Sequence, residues 1–450
     1  MESLRGEETA GMASDLRVAA RSRTLALDAH DSILDASVSP TVVWHGPEET
    51  VVAAGTTATL RAAGSERFSD IRAGATELFD ACDTDGVSHH ARPRLYGGFA
   101  FHDGATGDSS DERAVWHGFE DAWFVLPEIQ LTVRDGDAWL TATATGQHAG
   151  SAASKRLENW HDRLETAEAP THGGPPGIES QQRTPSRADW REQVTAATEA
   201  IANERLRKVV LAQSLSVELK RPLSIPDTLA RLDERYPDCY RFAFSPQQGA
   251  GTFFGATPER LVSLRGRTVQ TEALAGSTGR GDTPAEDEWL AEELRDSEKD
   301  NHEHDLVVEA IRDQLSPLAA SITAGERTIR RLATVQHLQT PIRAELAADQ
   351  HVLSLVEALH PTPAVGGLPP DAALETIKNT EAFDRGWYAA PVGWVDAAGN
   401  GTFTVAIRSA LSTGRTARLF AGAGIVTDSD PDREWDEVQL KYRPMLDELE

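Results

Sequence analysis

The second half of the chain consists largely of short strand-like segments joined by links of hairpin length. From residue 208 onwards they are KVVLAQSLSVEL, YRFAFSP, GTFFGAT, RLVSLRG, TVQTEALAG, GTFTVAIRSAL and TARLFAGAGIV. Helical patterns occur only between some of them, at 283–295, 298–315, 354–359, 370–378 and 431–449. Strands with short links pair antiparallel, whereas parallel pairs need long crossovers. We therefore predict an α+β fold, with a mainly antiparallel sheet and helices on its outside.

Composition divides the chain into three parts. Residues 1–168 mix strand-like runs, such as TVVWHG, YGGFAF and WFVLPEIQLTV, with short helical ones. Residues 169–188 are rich in Pro, Gly, Ser and Gln, which predicts a surface linker. Ser186 is expected to cap a helix that runs to about Arg205 and begins the third part, 189–450.

The chain of 450 residues carries a formal net charge of -27, and only six of its 44 basic residues are lysines. Dense carboxylates keep a protein hydrated in concentrated salt, which screens their repulsion. We therefore expect a protein from a halophile. The same charge disfavours nucleic acid or an anionic membrane as a partner.

The sequence gives no sign of an exported or membrane-bound protein. Two cysteines, Cys82 and Cys239, do not make a disulfide framework or a zinc site. No apolar run is long enough to span a bilayer, and the N-terminus lacks a signal-peptide core. We expect a cytoplasmic enzyme, a monomer, that acts on a small molecule.

Two predicted helices turn carboxylates towards the protein interior. In SEKDNHEHDLVVEAI, helical spacing continues the apolar stripe of Val307 and Ile311 back to Glu303 and Asp300. Acids in a first turn also complement the helix dipole, so this helix alone favours that simpler interpretation. In SDPDREWDEVQLKYRPML, Glu434 and Glu437 share a helix face with apolar residues and a lysine.

Four carboxylates on two inward faces repel one another unless a cation lies between them. Oxygen ligands without clustered His or Cys favour a hard ion, and we predict Mg²⁺. The four candidate ligands are Asp300, Glu303, Glu434 and Glu437.

Other segments offer acid–base groups and anion contacts. Lys208 begins an apolar strand, where desolvation can make a lysine a base, although a strand-end lysine in solvent is as plausible from this segment alone. Glu259, after a Gly-Ala-Thr-Pro turn, can be a general acid. HPTPAVGG and FAGAGIV place glycines where backbone N–H groups could bind carboxylates, and Arg408 could clamp one. TEALAGSTGRGD lacks the Lys of a Walker A loop, which excludes that assignment.

Taken in order, these segments resemble the chorismate-utilising enzymes, and within them the isochorismate synthases. The resemblance runs from about Asp189 to Met445 and is carried by KVVL, FGATPE, EALAG, EKDxxEH, HPTPAVGG, FDRGWYAAPVGW, VAIR, AGAGIV and SDPDREWDE. YGGFAF and FVLPEIQL look like the N-terminal part of that family. The resemblance implies a large α/β sandwich of two mainly antiparallel sheets with helices outside.

The resemblance also implies roles. One Mg²⁺ would be held directly by Glu303 and Glu437, with Asp300 and Glu434 close by through water, and would hold the ring carboxylate of chorismate. Lys208 would activate water, and Glu259 would protonate the departing C4 hydroxyl, which requires the lysine neutral and the glutamate protonated. Matched substrate-binding positions are Tyr388, Arg408, Gly422, Gly424, Lys441, His337 and Thr362.

Residues within the motifs favour one subtype. Anthranilate synthases lack a lysine at the Lys208 position, and aminodeoxychorismate synthases carry a nucleophilic lysine where Ala275 stands. A salicylate synthase, which would eliminate pyruvate from isochorismate, remains the alternative; a non-catalytic metal-binding protein is the second. Gln213 and Ala390 depart from the family pattern, where Arg and Gly are usual. Menaquinone and siderophore pathways both use isochorismate.

Overall fold

The computed structural model describes residues 17–25, 40–104, 106, 115–165, 173–246 and 249–450. Its α-helices within these ranges are α1 (Arg67–Asp80), α2 (Ala149–Glu165), α3 (Arg187–Ala202), α4 (Ile225–Arg235), α5 (Pro284–Asp296), α6 (Glu298–Leu315), α7 (Val352–Leu359), α8 (Pro370–Thr380) and α9 (Pro431–Leu446). A short 3₁₀ turn covers His89–Ala91. None of the helices in the described ranges is both long and apolar enough to span a membrane.

Thirteen described strands form a large sheet. They are β1 (Val18–Leu25), β2 (Val42–His45), β3 (Thr50–Ala54), β5 (Cys82–Asp83), β8 (Ile129–Arg134), β9 (Asp137–Thr145), β10 (Ile178–Thr184), β11 (Lys208–Leu219), β12 (Tyr240–Phe244), β13 (Thr252–Thr257), β19 (Gly367–Leu368), β22 (Ser409–Thr413) and β23 (Thr416–Ile425). Their order is β10-β11-β23-β22-β13-β12-β2-β3-β8-β9-β1-β5, and β19 pairs with β11. Only the short β1–β5 pair is parallel among these described strands.

Ten described strands form a smaller sheet. They are β4 (Ala58–Ala62), β6 (Leu95–Phe99), β7 (Ala122–Leu126), β14 (Arg260–Arg265), β15 (Thr268–Gly279), β16 (Ala319–Ala324), β17 (Thr328–Arg331), β18 (Val335–Leu346), β20 (Pro391–Val395) and β21 (Gly401–Val405). Their order is β16-β18-β15-β14-β21-β20-β6-β7-β4, and β17 pairs with β18. Two mainly antiparallel sheets with helices confirm the predicted α+β sandwich.

Four short corners carry the chain from one sheet directly into the other. They lie between β3 and β4, β7 and β8, β13 and β14, and β21 and β22. The β13–β14 corner contains Glu259 and the β21–β22 corner ends at Arg408. The two corners touch, because Val405 donates its backbone N–H to the Glu259 carbonyl at 3.0 Å and Ala256 donates to the Arg408 carbonyl at 3.1 Å. Two candidate site residues therefore lie together where the sheets meet.

Aromatic side chains join the two sheets in one core. The ring of Trp387 lies 5.9 Å from that of Phe244 on the large sheet and 6.4 Å from that of Trp123 on the small sheet. Trp116 stacks on Phe420 with ring centroids 5.5 Å apart. Strands from both the first and the third part of the chain contribute to this core, so the sheets depend on both parts.

Several boundaries differ from the sequence-based prediction. The predicted linker, 169–188, contains β10 at its centre, although residues 169–172 lie outside the described ranges. This strand is mostly exposed and pairs with β11 on one side, which explains why its sequence shows no apolar pattern. The predicted strand GTFTVAIRSAL is also wrong as one unit, because Arg408 has a φ of 50° and separates β21 from β22.

Candidate functional site

Lys208 and Glu303 meet at the centre of the candidate site. Lys208 is the first residue of β11 and its side chain is only 1% exposed. Its Nζ lies 2.8 Å from Oε1 of Glu303 on α6. Burial alone would raise the pKa of Glu303, but the charge of Lys208 and its hydrogen bond outweigh burial and lower that pKa below its ordinary value. The two residues form a buried ion pair.

The local sequence of α6 explains why Glu303 points inwards. Ser297 caps the helix by accepting a hydrogen bond from the backbone N–H of Asp300. Val307, Ile311 and Leu315 are buried, as the stripe predicts, and His304 is also completely buried. The His304 ring bonds to the carbonyl of Ala275 on β15 and to the Thr340 hydroxyl on β18, which fixes the first turns of α6 on the small sheet.

Gly424 leaves the space in which this ion pair lies. It stands opposite Val210 in the β11–β23 pair. A Cβ atom there would lie 2.8 Å from the Glu303 carboxylate and 3.0 Å from Cε of Lys208. A side chain at position 424 would therefore displace the carboxylate or the lysine.

Lys441 links α9 to the same strand. Its Nζ donates to the Gly422 carbonyl at 2.9 Å and lies 2.5 Å from Oε1 of Glu437. Arg408 donates to the backbone carbonyl of Lys441 at 3.1 Å. Pro431 occupies the first turn of α9, as predicted, and Asp430 caps it. The predicted face of this helix thus reaches the site.

Two further carboxylates stand beside these pairs. Burial first, and then Glu437, raise the pKa of Glu434 to about 7, although Lys299 lies 3.4 Å away. Burial raises the pKa of Asp300 as well; the Ser297 hydroxyl opposes this shift, and the charges of Glu303 and Glu437 add to it. The four acids of α6 and α9 therefore interact electrostatically.

This donor set fits a hard cation in chemical type. It consists of carboxylates on two helices, and their mutual repulsion is what a divalent ion would relieve. Within the described ranges, however, no three Asp, Glu, His or Cys side chains converge closely enough to surround an ion. Lysines neutralise the acids instead, so an ion bound by Glu303 and Glu437 would compete with Lys208 and Lys441.

Glu259 is a buried carboxyl group that retains its proton. It is 5% exposed at the β13–β14 corner. Burial first, and then the charge of Glu272, raise its pKa to about 8. Lys208, Lys441 and Arg408 oppose the shift, which also places Glu259 within electrostatic range of all three. At neutral pH this glutamate can donate a proton.

Two polar atoms of the site have no hydrogen-bond partner in the described part of the chain. Oγ1 of Thr362 and Nε2 of His337 are both buried in this state. Ser277 bonds to Nδ1 of His337 at 2.8 Å and so orients the ring. Burial, with Arg408 and Lys441, lowers the pKa of His337 well below its ordinary value, so the ring is neutral. Both atoms can bond a polar ligand.

Tyr388 completes the group on the large-sheet side. Its ring stacks on Phe420 of β23, with centroids 5.3 Å apart. A Cβ atom at Gly422 would lie 3.3 Å from its hydroxyl. Burial raises the pKa of Tyr388 to about 12, so its phenol remains a donor. Contacts or electrostatic effects thus link twelve of the thirteen residues predicted from the sequence. Thr362 lies in an adjoining loop: its carbonyl accepts from Gly366, whose own carbonyl accepts from Val210 of β11.

The sequence analysis missed residues that support this region. Lys299 pairs with Glu434, and its pKa stays above the ordinary value because Glu434 and Glu303 outweigh burial. Three of the chain's six lysines therefore lie at the site, and the scarcity of lysine could have identified Lys299. Ser277, Glu272 and the Glu381–Arg385 ion pair were also missed, since polar residues within strands and loops carry no comparable signal.

Comparison with known proteins gives the family. The profile described as "Chorismate binding enzyme" matches residues 26–450. The chain is 38% identical over 420 residues to the salicylate biosynthesis isochorismate synthase of Pseudomonas aeruginosa, covering 91% of this chain and 85% of that one. It is 34% identical over 419 residues to isochorismate synthase MenF of Bacillus subtilis, covering 90% and 87%.

A solved structure shares the whole fold. The menaquinone-specific isochorismate synthase MenF of Escherichia coli superposes with a TM-score of 0.80 at 26% identity, covering 97% of this chain and 95% of that one. With the sandwich fold, the buried site at its corners and a family match over nearly the full length, the chain belongs to the chorismate-binding enzyme family.

Proposed function

We propose that the protein is a Mg²⁺-dependent isochorismate synthase, which converts chorismate to isochorismate. Relatives of this name match about nine-tenths of the chain. The observation that carries the proposal is that the buried Glu259, whose pKa is raised to about 8 by burial and by Glu272, lies within electrostatic range of the buried Lys208 in one polar site. An isomerisation that adds water and releases hydroxide needs a base and an acid at once.

The substrate's two carboxylates require local positive charge in a protein of net charge -27. Arg408 and Lys441 supply cations at the site. Gly424 leaves room beside β23 for the side chains of Lys208 and Glu303. The unpartnered atoms of His337 and Thr362 are free to bond substrate oxygens. Tyr388 adds a hydroxyl donor.

The proton inventory of the reaction balances with two residues. Lys208 acts as a base only as the neutral amine, so it first loses its proton to solvent and its ion pair with Glu303 is broken. The neutral amine then accepts a proton from water as the water oxygen bonds to C2 of the ring. The double bond shifts, the C4–O bond breaks, and Glu259 gives its proton to the leaving hydroxyl, which departs as water. Before the next cycle, Lys208 returns its proton and Glu259 regains one, so the net change is an isomerisation.

Magnesium would be held by Glu303 and Glu437, with Asp300 and Glu434 beside them. When bound, it would neutralise the ring carboxylate of chorismate and orient the ring. The chain's own contribution is to bring four carboxylates from two helices to one place, with lysines available to balance their charge.

We also propose that the enzyme is a cytoplasmic monomer.

The test is product identification with the purified protein. Chorismate is incubated with Mg²⁺, and isochorismate should accumulate to a reversible equilibrium with chorismate. Stoichiometric pyruvate and salicylate would instead identify a salicylate synthase. Turnover at the full rate in excess chelator would contradict the metal requirement, and no turnover with Mg²⁺ would leave only a binding protein.

A further inference from the structure

Strand β11, which begins with Lys208, lacks a described strand partner along part of the side that faces away from β23. On one side, β23 pairs with it continuously from Val209 to Glu218. On the other side, β19 pairs only with its first two residues and β10 only from Ser214 onwards. The backbone of residues 210–213 therefore has no strand partner on that side among the described residues.

A loop carbonyl and two side chains fill this gap. The Val210 N–H donates to the Gly366 carbonyl at 2.8 Å. The Val210 carbonyl accepts from Nη2 of Arg385 at 2.8 Å, and the Ala212 N–H donates to Oε1 of Glu381 at 2.8 Å. These bonds replace a strand ladder over the residues that follow Lys208.

Glu381 and Arg385 form one rigid, buried unit. Nε and Nη2 of Arg385 donate to the two carboxylate oxygens of Glu381 at 2.8 and 2.5 Å. Their side chains are 3% and 1% exposed, respectively. The guanidinium also lies 4.3 Å from the centroid of the Phe101 ring. A bidentate ion pair that packs on an aromatic ring has little freedom to reorient.

The same pair reaches one other segment of the site and adjoins Tyr388. Nη1 of Arg385 donates to the Val365 carbonyl at 2.9 Å, and so fixes the loop that carries Thr362. The Arg385 carbonyl accepts from the backbone N–H of Tyr388 at 2.9 Å. Two separate segments, which carry Lys208 and Thr362, thus converge on one ion pair, and Tyr388 follows Arg385 in the segment that carries the pair.

Stability alone does not explain a charged pair at this place. Desolvation makes a buried ion pair costly, and apolar side chains of similar volume often serve stability equally well. Apolar side chains could not bond the Val210 carbonyl or the Ala212 N–H. What the pair adds is a fixed position for the start of β11, and small displacements of a reacting group reduce rates steeply.

We propose that Glu381 and Arg385 act as positioning residues that hold Lys208 and the Thr362 loop in register for the reaction. This rests on the proposed function, in which Lys208 is the base. Neither side chain touches the predicted metal ligands or Glu259 in the described contacts, and the pair acts on Lys208 and the Thr362 loop through their backbone. Its one described approach to a predicted site side chain is that of the Arg385 guanidinium to the Tyr388 ring, 5.9 Å from the centroid.

The chain offers a matched control. Arg94 and Glu49 form a second buried pair, with Nη2 and Oε2 3.1 Å apart and side chains 9% and 6% exposed. The Arg94 guanidinium also lies over an aromatic ring, 4.0 Å from the centroid of Trp394. Its described hydrogen bonds reach none of the predicted site residues.

The experiment compares Arg385→Lys with Arg94→Lys. Both substitutions keep the positive charge and remove the planar guanidinium, which donates two hydrogen bonds to one carboxylate. We expect Arg385→Lys to lower kcat about tenfold to a hundredfold with KM within threefold, and to speed hydrogen exchange in the peptide covering 208–213. Arg94→Lys should change neither kcat nor hydrogen exchange in that peptide. If Arg385→Lys does not fold, Glu381→Asp and Glu49→Asp give the same comparison, since each shortens one partner.

The outcomes separate this proposal from the proposed function. Hydrogen exchange is measured without substrate, so it tests the positioning of β11 even if wild type proves to make another product. Equal kcat in the two lysine variants overturns the proposal, and so does unchanged exchange over 208–213. A rise in KM with kcat retained also contradicts it, because the pair would then act on binding.

Discussion

Lys208 is the residue on which the proposed chemistry depends most directly. We expect Lys208→Ala to lower kcat by about 10²–10⁴-fold, because a general base is lost. All three site lysines pair with a glutamate, but the side chain of Lys208 is 1% exposed, against 16% for Lys441 and 39% for Lys299, and burial is what favours a neutral amine. Lys220, an exposed residue just after β11, provides the control substitution Lys220→Ala. Activity of Lys208→Ala within a few-fold of wild type would reduce Lys208 to a structural residue.

Glu259 gives the site a pH dependence with a defined sign. Burial and the nearby charge of Glu272 raise its pKa to about 8, so the protonated acid is lost as pH rises through that value. The groups that act on Glu259 are Glu272, which raises its pKa, and Lys208, Lys441 and Arg408, which lower it; its own charge also acts on Tyr388.

We expect Glu272→Gln to move the alkaline loss of kcat to lower pH, because the substitution removes a negative charge that favours the protonated acid. An amide oxygen can still accept the Arg260 N–H bond, which Oε1 of Glu272 accepts at 3.1 Å. The measurement is kcat from pH 6 to 10, with the exposed Glu345→Gln on β18 as the control. A profile that coincides with that of wild type would show that Glu272 does not influence the acid.

Glu303 tests the metal proposal. We expect Glu303→Gln to abolish Mg²⁺-dependent turnover and to weaken Mg²⁺ binding measured calorimetrically without substrate, since it removes one ligand charge. Glu437→Gln should act in the same way. Glu309→Gln, on the exposed face of α6, should leave both unchanged. Undiminished Mg²⁺ binding by the Glu303 variant would assign the ion to other ligands.

At the scale of single elements, α6 shows how a helix end serves the site. Ser297 and Ser186 cap α6 and α3 with the same geometry: each accepts an N–H three residues on at 3.2 Å, and each hydroxyl bonds the carboxylate of that aspartate. Substituting either serine by alanine should cost about 1 kcal/mol of the free energy of unfolding.

Of these two serine caps, that of α6 adjoins the carboxylates of the site and that of α3 does not. We therefore expect Ser297→Ala to raise the Mg²⁺ concentration needed for half-maximal turnover as well, because the Ser297 hydroxyl lowers the pKa of Asp300 and its loss leaves that acid more protonated. Ser186→Ala should lower the free energy of unfolding without changing the Mg²⁺ requirement. Urea unfolding and a Mg²⁺ titration of activity check both variants, and equal Mg²⁺ requirements would show that Asp300 plays no part.

Sequence periodicity predicted elements well where one pattern runs without interruption. The bounds of β11 and α6 match their predicted segments, because an apolar run of strand residues and an amphipathic stripe with a capping serine are local signals. It failed at β18, the long strand that carries His337, because polar residues such as Gln336, His337 and Gln339 break its pattern although they are wholly or partly buried.

The site residues were predictable through motifs, but their pairing was not. Nothing local in the sequence indicates that Lys208 meets Glu303, since the contact joins a strand of the large sheet to a helix beside the small one. The turn before Glu259 was predicted, but not that it joins the two sheets, and the corner at Arg408 lay hidden within one predicted strand. A chain that passes from one sheet to the other within a few residues looks like one long strand in its sequence.

For the molecule as a whole, the corners explain the position of the site. Each pair of crossing strands enters both sheets, so β13 pairs with β22 in the large sheet while β14 pairs with β21 in the small sheet. Backbone hydrogen bonds at these corners fix Glu259 and Arg408 relative to each other. The strand ends there need not continue a ladder, and their side chains are available for chemistry.

The net charge of -27 sets a long-range condition on catalysis. The proposed substrate carries two negative charges, so the whole molecule repels it until it reaches the cations of the site. The Debye length is about 30 Å at 0.01 M salt and about 3 Å at 1 M salt, so added salt removes this repulsion at distances beyond the site. Positive charge at Arg408 and Lys441 acts at short range and is screened less, because Arg408 is buried and Lys441 is largely so.

We therefore expect kcat/KM to rise with KCl between about 0.01 and 1 M, while kcat, measured with saturating substrate, changes little because no association step limits it. The direction is opposite to that of an enzyme whose surface attracts its anionic substrate. Circular dichroism at each salt concentration has to show constant folding, since salt can also stabilise an acidic protein. If kcat/KM falls with salt while the fold is constant, attraction by the site dominates the approach of the substrate and the net charge does not govern it.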